Sequence, residues 1–418
     1  MTEGAPGSWC ITRFGAIFHE RRETVSDKDF PALSVTKNGI VPQIEGVAKT
    51  DNGDSRKLVR RGDIVINSRS DRKGSSGLSD FDGSVSVICM VLRPRTGHPR
   101  FLHYLIRSGA FQEEFYKNGH GIVADLWTTR FNDAKGIRVA LPDVDEQIAA
   151  SEFLDHETAK ADALVAKYER LIELLEEKRL ALITQAVTKG LDPTVPLKDS
   201  GVEWIGRIPE HWEIWKLFHA VKSIGSGTTP PVEERKWYDG GIPFVTTAEL
   251  RETVIIEAAK TISESALKRF TSLKLYPAGS IGIAMYGATI GRLGIFGIPA
   301  TVNQACCVIQ GSDILSSDYL YYWLMAKRNE IIALGVGGGQ PNISQEIIRN
   351  LRVPTPRVSE QVRIVNHIRE ATAPIANLVS KAQRAIDLVK ERRSALITAT
   401  VTGRADVKAY GAQEMEIA

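Results

Sequence analysis

Hydrophobic residues recur at alternating intervals of four and three along two stretches of the chain. This spacing is the seam of a left-handed coiled coil, so each stretch predicts a long helix that needs a partner in water. A globular domain between the two helices must return the chain, so they are expected to pack antiparallel. The seam positions are 161, 165, 168, 172, 175, 179 and 182, and then 375, 379, 382, 386, 389, 393 and 396.

The two helical stretches are copies of one sequence. Residues 146–190 align without a gap on residues 360–404, with 18 identical positions. Upstream segments match more weakly, with a turn and β-type run at 58–66 and 275–283, and an apolar helix at 101–106 and 319–324. The predicted fold class is therefore α+β. It has two repeated α/β-mixed globular domains separated by two long helices that form an antiparallel coiled coil.

The repeat also predicts where the domains begin and end. Two prolines, Pro193 and Pro196, prevent the first helix from continuing into the second half. The carboxyl-terminal residues show no periodicity and are expected to be frayed. The predicted parts are a first globular domain at 1–141, a first helical spacer at 142–190, a linker at 191–204, a second globular domain at 205–355, a second helical spacer at 356–404 and a tail at 405–418.

Two features interrupt the helical pattern. Arg179 and Arg393 occupy equivalent seam positions. Each is interpreted as an arginine whose head reaches water or pairs with a nearby glutamate. The alternative is a register-setting device or a contact with a partner protein. Pro374 stands where the first copy has Lys160, and it predicts that the second helix starts or kinks there.

Additional leucines widen the apolar stripe of the helices beyond a single seam. A wide apolar face suits burial against a second molecule as well as against the sister helix. We therefore predict a partner-binding face on each helix. Its residues are Leu164, Leu171 and Leu174 in the first copy and Leu378, Ala385 and Leu388 in the second.

The composition narrows the class of protein only slightly. The chain has 418 residues and a formal net charge of +3, a balance that permits a nucleic-acid partner without requiring one. No run of about 18 apolar residues and no signal region is present. The four cysteines show no disulfide or zinc spacing and are interpreted as buried, reduced thiols. These features predict a cytoplasmic protein.

The sequence contains no catalytic signature. It has no phosphate-binding loop and no histidine or cysteine pair with metal-ligand spacing. The glycine run at 335–339 is interpreted as a flexible loop. Asp143, Glu146 and Glu152 sit at the start of the repeated helix and are interpreted as capping residues that favour the helix dipole. The chain is therefore predicted to be a binding and scaffolding protein without a cofactor or metal of its own.

Several short motifs stand out in both halves of the chain. Both helical copies begin with Pro-x-Val-x-Glu-Gln and end with Ala-Leu-Ile-Thr followed by Val-Thr. The second half adds the junction at 197–212, Gly-Thr-Thr-Pro at 227–230, Gly-Ala-Thr-Ile-Gly-Arg at 287–292 and Gly-Gln-Pro-Asn-Ile-Ser at 339–344. Together these motifs resemble one family, the DNA-specificity (S) subunit of type I restriction-modification enzymes. In the first half, the segment at 67–74 stands where the family's Gly-Ala-Thr-Ile-Gly-Arg loop would be.

The resemblance implies a function and a set of partners. Each globular domain would read one half of a split target in double-stranded DNA, and the helices would fix the spacing between the halves. Two methyltransferase (M) subunits would dock on the helices and carry S-adenosylmethionine. An ATP-driven restriction (R) subunit is a further candidate partner. A duplicated coiled-coil scaffold that assembles proteins without reading DNA is the alternative left open by the residues.

Loop residues are predicted to contact the DNA. Arginine and lysine can pair with guanine or phosphate, and glutamine and asparagine can pair with adenine. The predicted DNA-contacting residues are Asn67, Arg69, Arg72 and Lys73 in the first domain, and Thr228, Lys236, Tyr286, Arg292, Gln340 and Asn342 in the second.

Overall fold

The computed structural model describes residues 2, 4–43, 55–121, 127–335, 342–405 and 407. The chain divides into two compact units. The first unit comprises Met1–Arg170 and Ala382–Ala418, and the second comprises Leu171–Lys381. Each unit therefore contains one globular domain and a part of each long helix. The domain boundaries given above stay predictions.

The first unit mixes short strands with short helices. Its helices before the long one are α1 (Phe14–Ile17), α2 (Pro99–Arg107), α3 (Gly109–Lys117) and α4 (Phe131–Ala134). Its strands are β1 (Cys10–Arg13), β2 (Phe18–Arg21), β3 (Thr24–Val25), β4 (Leu33–Thr36), β5 (Gly39–Pro42), β6 (Arg56–Val59), β7 (Ile64–Asn67), β8 (Ser76–Leu78), β9 (Gly83–Val85), β10 (Cys89–Pro94) and β11 (Arg138–Leu141).

The main sheet of the first unit has the order β2-β10-β7-β8, and all its pairings are antiparallel. Smaller ladders join β3, β6 and β9, β4 and β5, and β1 and β11. One core cluster contains residues of α2 and α3 and four almost completely buried rings, those of Phe14, Phe18, Phe101 and Phe111. The predicted apolar helix at 101–106 is thus α2, and its aromatic face forms the core of this unit.

The second unit likewise mixes short strands with short helices. Its short helices are α6 (Leu217–Ala220), α7 (Glu264–Arg269), α8 (Ser317–Ala326), α9 (Arg328–Ala333) and α10 (Gln345–Asn350). Its strands are β12 (Leu197–Asp199), β13 (Arg207–Pro209), β14 (Glu213–Lys216), β15 (Ser223–Ser226), β16 (Tyr238–Val245), β17 (Val254–Ile255), β18 (Lys260–Ile262), β19 (Ile281–Ala284), β20 (Leu293–Phe296), β21 (Thr301–Val302), β22 (Cys306–Gln310) and β23 (Arg352–Thr355).

The main sheet of the second unit has the order β15-β22-β19-β20-β17. A second sheet has the order β18-β16-β21, and β14 pairs with β23 as β1 pairs with β11 in the first unit. Trp212, Tyr319 and Trp323 are completely buried where α8 meets the long helices. The weakly similar upstream segments are therefore the same structural elements in both units.

The long helices are α5 (Val144–Lys189) and α11 (Val358–Val401). Every predicted seam position is buried or partly buried, whereas most of the neighbouring positions are exposed. In the first unit, Asp162 pairs with Arg393 at 3.3 Å and Glu169 with Lys390 at 4.0 Å, so the residue numbers run in opposite directions. The two helices form the predicted antiparallel coiled-coil arrangement.

The Glu-Gln dipeptide at the start of each long helix ties the helix to its globular domain. Gln147 is 3% exposed; its Oε1 accepts the backbone N–H of His98 at 2.7 Å, and its Nε2 donates to the carbonyl of Pro142. Gln361 repeats both bonds, from Ser316 and to Pro356. A buried amide with neither bond would be costly, which gives a physical reason for this part of the repeat.

Two sequence expectations are changed by the structure, and a third lies almost wholly outside the described residues. Helix α11 does not start at Pro374 but continues through it. Proline is exposed there, so water can reach the carbonyl left without an N–H donor, while Thr372 and Ile375 beside it are buried. Cys10 is exposed, whereas Cys89, Cys306 and Cys307 are buried. The expectation for the tail at 405–418 lies outside the described residues, apart from 405 and 407.

The seam arginines are paired in both copies. Arg179 Nη1 lies 3.2 Å from Glu176 on the same helix, and Arg393 Nε lies 3.3 Å from Asp162 on α5. Both side chains remain about one-third exposed, at 32% and 29%. The interpretation of a glutamate-paired arginine is correct for Arg179. Arg393 pairs instead with an aspartate of the other helix.

Candidate nucleic-acid interface

The predicted contact loop of the first domain follows the end of β7. Asn67 Oδ1 accepts the backbone N–H of Arg69 at 3.3 Å, and the carbonyl of Asn67 accepts the Tyr116 hydroxyl at 2.8 Å. Burial raises the pKa of Tyr116 to about 12, which keeps that hydroxyl protonated as a donor. Residues Ser70–Arg72 then form a 3-10 turn. Asn67 therefore shapes the loop, and Asp71, Arg72 and Lys73 are its exposed residues.

The loop carries a partly compensated positive charge. Arg69 Nε lies 3.0 Å from Asp71, and Arg72 Nε lies 3.7 Å from the other oxygen of the same carboxylate. Arg72 remains 66% exposed and Lys73 is also exposed. Exposed ion pairs of this kind are weak. Arg72 and Lys73 can therefore bind a phosphate with little loss of interaction energy.

A second segment lies along the loop that sequence reasoning did not identify. The N–H of Ser70 donates to the carbonyl of Trp127 at 2.9 Å, and the N–H of Thr129 donates to Ser68 at 3.0 Å. Arg69 and Thr128 form an antiparallel bridge between these hydrogen bonds. The two segments are far apart in the sequence, so no local pattern could have indicated that they meet.

A groove of about 410 Å³ opens beside this pair of segments. Val87 and Ile88, in the turn between β9 and β10, are 50% and 40% exposed in it. Arg130, exposed at its edge, has no ion pair among the residues that the structure describes. The groove thus combines exposed aliphatic side chains with arginine. The residues lining it are Glu20, Lys57, Ser68, Arg69, Val87, Ile88, Met90, Thr128, Thr129, Arg130 and Phe131.

Three of the residues predicted in the second domain lie on connected segments. Tyr286 and Arg292 belong to the turn that joins β19 to β20, and both are exposed. Asn342 is exposed beside Ile343, whose N–H donates to the carbonyl of Met285 at 2.8 Å. Tyr286 and Asn342 therefore flank one hydrogen bond between two segments. The structure brings these two predicted residues to the same place.

The remaining predicted contacts of the second domain are more separate. Lys236 pairs with Glu234 at 2.6 Å and lies over the ring of Trp237 at 4.5 Å, so its charge is already engaged. Thr228 is partly buried after Gly227. A Cβ on Gly227 would stand 1.8 Å from the Val302 carbonyl oxygen, so only glycine fits that approach. The prediction for Gln340 lies outside the described residues.

The predicted partner face consists mainly of exposed leucines on the long helices. Leu164, Leu171 and Leu174 are 41%, 43% and 46% exposed, and Leu378 and Leu388 are 50% and 60% exposed. Ala385 is partly buried. Leucines exposed in this way along a helix leave apolar area uncovered in each unit. Whether a partner covers it stays a prediction.

Within the described residues, no group of three or more metal-ligating side chains is close enough to hold an ion. The described helices also include none with the length and apolar character needed to cross a membrane. Glu146, which was interpreted as a dipole-favouring residue, has a more specific role because its Oε1 accepts the indole N–H of Trp9 at 3.3 Å. Asp143 is the capping residue, since its Oδ1 accepts the N–H of Glu146 at 2.8 Å.

Comparisons with known proteins agree with the motifs. Residues 209–381 match the family model of the type I restriction modification DNA specificity domain. Over 400 residues the chain is 22% identical to a Methanocaldococcus jannaschii protein provisionally named the MjaX type I restriction enzyme specificity subunit, covering 93% of this chain and 87% of that protein. The MjaIX specificity subunit of the same organism is 29% identical over 165 residues, which is 38% of each chain.

A solved structure shares the fold. It comes from a description of complex assembly and conformational transition in the type I R-M system, and it matches with a TM-score of 0.63 at 18% identity. The match covers 96% of this chain and 99% of that one. The sequence relatives favour a DNA-recognition role over a scaffold that only assembles proteins. The chain is thus similar to the specificity subunits of type I restriction enzymes, and residues 209–381 match the DNA specificity domain of type I restriction-modification systems.

Proposed function

We propose that this chain recognises a DNA target in two halves, with one half read by each globular domain. One observation carries the proposal. The attachment of each domain to its helix is repeated bond for bond, through Gln147 in one unit and Gln361 in the other. The exposed loops on the same scaffold differ in sequence and charge. A retained frame with divergent loops is what two readers of different half-sites require.

We further propose that the chain has no catalytic activity alone and that its exposed helix leucines dock methyltransferase subunits. The duplicated face around Leu171 in α5 and Leu388 in α11 offers two equivalent surfaces, so two methyltransferase subunits are expected for each chain. The partners would bind S-adenosylmethionine and, for a restriction subunit, ATP. This division of labour fits the absence of a cofactor motif from the sequence.

The proposed function is tested by exchanging the first domain. Residues 1–141 are replaced by the corresponding domain of another specificity subunit, and the methylated motif is read by sequencing DNA from cells that also make the methyltransferase subunit. One half of the motif should change and the other should stay the same. A change in both halves would contradict the proposal of two separate readers.

Binding itself is tested with a gel shift on random and target duplexes at several salt concentrations. A DNA reader binds random duplex through phosphates, so its affinity falls steeply with salt, and it retains a preference for the target. A protein-only scaffold would show neither behaviour. The chain incubated alone with S-adenosylmethionine and target DNA should transfer no methyl group, and adding the methyltransferase subunit should produce methylation.

A further inference from the structure

Each unit presents a rim built from three separate chain segments. We define the first rim as Arg69, Val87, Ile88 and Thr128, and the second rim as Tyr286, Gln304, Ala305 and Asn342. In the first unit these residues line one groove. In the second, the N–H of Met285 donates to Ala305 at 2.8 Å, and Ile343 donates to Met285 at 2.8 Å, which brings the three segments together.

The strand register makes the two rims equivalent residue by residue. In the first unit Cys89 of β10 is opposite Asn67 of β7, and in the second Cys306 of β22 is opposite Ala284 of β19. For both strands, the residue number in the second unit exceeds that of its counterpart in the first by 217, since 306 minus 89 and 284 minus 67 are both 217. The same displacement places Arg69 on Tyr286, Val87 on Gln304 and Ile88 on Ala305.

A cross-segment hydrogen bond fixes the third segment. Thr129 donates its N–H to the carbonyl of Ser68, and Ile343 donates to the carbonyl of Met285, which is the residue equivalent to Ser68. Thr128 and Asn342 therefore occupy one position in the two units. The two rims share one backbone arrangement but expose different side chains.

The largest chemical difference is at the turn before β10 and β22. Val87 and Ile88 expose two aliphatic side chains in the first unit. The second unit has the exposed amide of Gln304 and the buried methyl of Ala305 instead. Exposed aliphatic side chains can contact an apolar group of a ligand, and the arginines beside them favour a ligand that is a polyanion. DNA is a polyanion, and the C5-methyl group of thymine is an apolar group in its major groove.

We propose that these rims determine which bases are read: Val87 and Ile88 contact the C5-methyl group of a thymine, and Gln304 pairs with an adenine. The proposal rests on the proposed function and names the specificity-determining residues of both domains. Arg130, without an ion pair in the described part of the chain, is placed at the groove edge to bind the phosphate beside the thymine.

Gln304 is already held in position for this role. The Thr229 hydroxyl donates to Gln304 Oε1 at 2.6 Å. A carbonyl oxygen has a second lone pair, so Oε1 can still accept from adenine N6 while the amide nitrogen donates to N7. Fixing the side chain before binding reduces the entropy lost on contact. Thr229 is therefore a positioning residue for Gln304.

The first experiment uses the full chain with its methyltransferase subunit and reads the methylated motif by sequencing. The double variant Val87→Gln with Ile88→Ala should change one base of one half. Gln304→Val should change one base of the other half and lower its adenine preference by on the order of tenfold. Thr229→Val should weaken that preference without changing the base. Val41→Gln, an exposed valine on β5, is the matched control and should leave the motif unchanged.

The second experiment changes the DNA and leaves the protein intact. Deoxyuridine replaces thymine in the half altered by the Val87 and Ile88 variant, which removes only the C5-methyl group. Affinity should fall about fourfold for the loss of one buried methyl. The double variant should show no further loss with deoxyuridine. This arm remains informative even if the double variant does not assemble, because the wild-type chain is used to test each thymine in both halves.

The outcomes separate this proposal from the proposed function. A wild-type complex that yields no reproducible motif would refute sequence reading itself. A wild-type motif that both rim variants leave unchanged would overturn only the rim assignment. The rim assignment would also be overturned if both variants altered the same half. It would be overturned, too, if replacing thymine with deoxyuridine lowered the affinity at no position in either half. Circular dichroism and assembly with the methyltransferase subunit establish that each variant is folded.

Discussion

The indole Nε1 of Trp212 donates a hydrogen bond to Oε1 of Glu360 across 3.1 Å. Trp212 is completely buried, and Glu360 lies in the first turn of α11. The same bond joins Trp9 to Glu146 at 3.3 Å in the first unit. The tryptophan that enters each globular domain is thereby fixed to the start of that domain's own long helix.

Replacing Glu360 tests this bond. Glu360→Leu leaves the buried indole N–H without an acceptor, so the free energy of unfolding of the second unit should fall by about 1–3 kcal/mol. Glu360→Gln retains an acceptor and should lose less. Urea denaturation followed by circular dichroism measures the difference. Glu370→Leu, at an exposed position of the same helix, is the control. Equal effects of the two leucine variants would contradict the prediction.

A second prediction concerns an ion pair whose polarity is reversed between the units. Arg100 of α2 pairs with Asp155 of α5 at 2.8 Å, whereas Asp318 of α8 pairs with Arg369 of α11 at 3.0 Å. Each globular domain therefore carries the charge that complements its own helix. A double-mutant cycle with Asp318→Ala and Arg369→Ala should give a coupling energy of about 0.2–1 kcal/mol, because both groups are about half exposed.

The control cycle for this ion pair combines Asp318→Ala with Arg363→Ala, at an exposed arginine on the same helix that shows no ion pair with Asp318. Its coupling energy should be close to zero. If the two cycles gave equal values, the Arg369 contact would have no specific contribution to the docking of the second domain.

A third prediction is a pH dependence that originates at His103. Its Nδ1 accepts the backbone N–H of Leu78 at 3.0 Å. Burial, reinforced by Arg107, Arg100 and Arg393, lowers its pKa to about 3, from an ordinary value near 6.5. Because the folded-state pKa is lowered, the unfolded chain binds the proton first. The stabilisation is complete above about pH 6.5 and is lost as the pH falls towards 3.

Between pH 7 and pH 5, this histidine should lower the free energy of unfolding of the first unit by about 2 kcal/mol. The asparagine of His103→Asn keeps an acceptor near the Nδ1 position but does not titrate there. Its stability should therefore change less with pH over this range. Denaturant titrations at both pH values measure the free energy of unfolding. If it changed equally between the two pH values in the wild type and the variant, the prediction would be refuted.

A fourth prediction tests whether the helices set the distance between the two halves of the DNA target. One heptad is inserted after Arg170 and another after Arg384, which keeps the seam in phase. Seven helical residues add about 10 Å at 1.5 Å each. The spacer in the methylated motif should lengthen by about three base pairs at roughly 3.4 Å per pair. Methylation that continues with the original spacer would exclude this role of the helices.

A fifth prediction concerns the exposed leucines of α5. Leu171→Asp places a charge on the predicted partner face, so it should abolish assembly with methyltransferase subunits, as measured by native mass spectrometry. Leu171 is 43% exposed, so the change should have little effect on folding. Ala163→Asp places the same charge at another exposed position of α5 and should permit assembly. A fully active complex with one methyltransferase per chain would contradict the expectation of two faces.

The sequence by itself determined the parts of this protein that depend on local periodicity. The four-three spacing predicted α5 and α11 and their seam, because helix geometry places such residues on one face whatever surrounds them. The duplicated Glu-Gln and Ala-Leu-Ile-Thr segments indicated two related units and a family that the chain resembles. Pro374 did not mark a helix start, because α11 continues through it, with the neighbouring Thr372 and Ile375 buried.

Only the tertiary structure decided which loop residues meet. Val87 lies 18 residues after Arg69, and Thr128 lies 41 residues after Val87. Cross-strand register and backbone hydrogen bonds bring the three to one rim. The equivalence of Val87 with Gln304 is not carried by their side chains, which differ entirely. It follows from strand pairing, which depends on backbone hydrogen bonds and therefore persists when the exposed residues change.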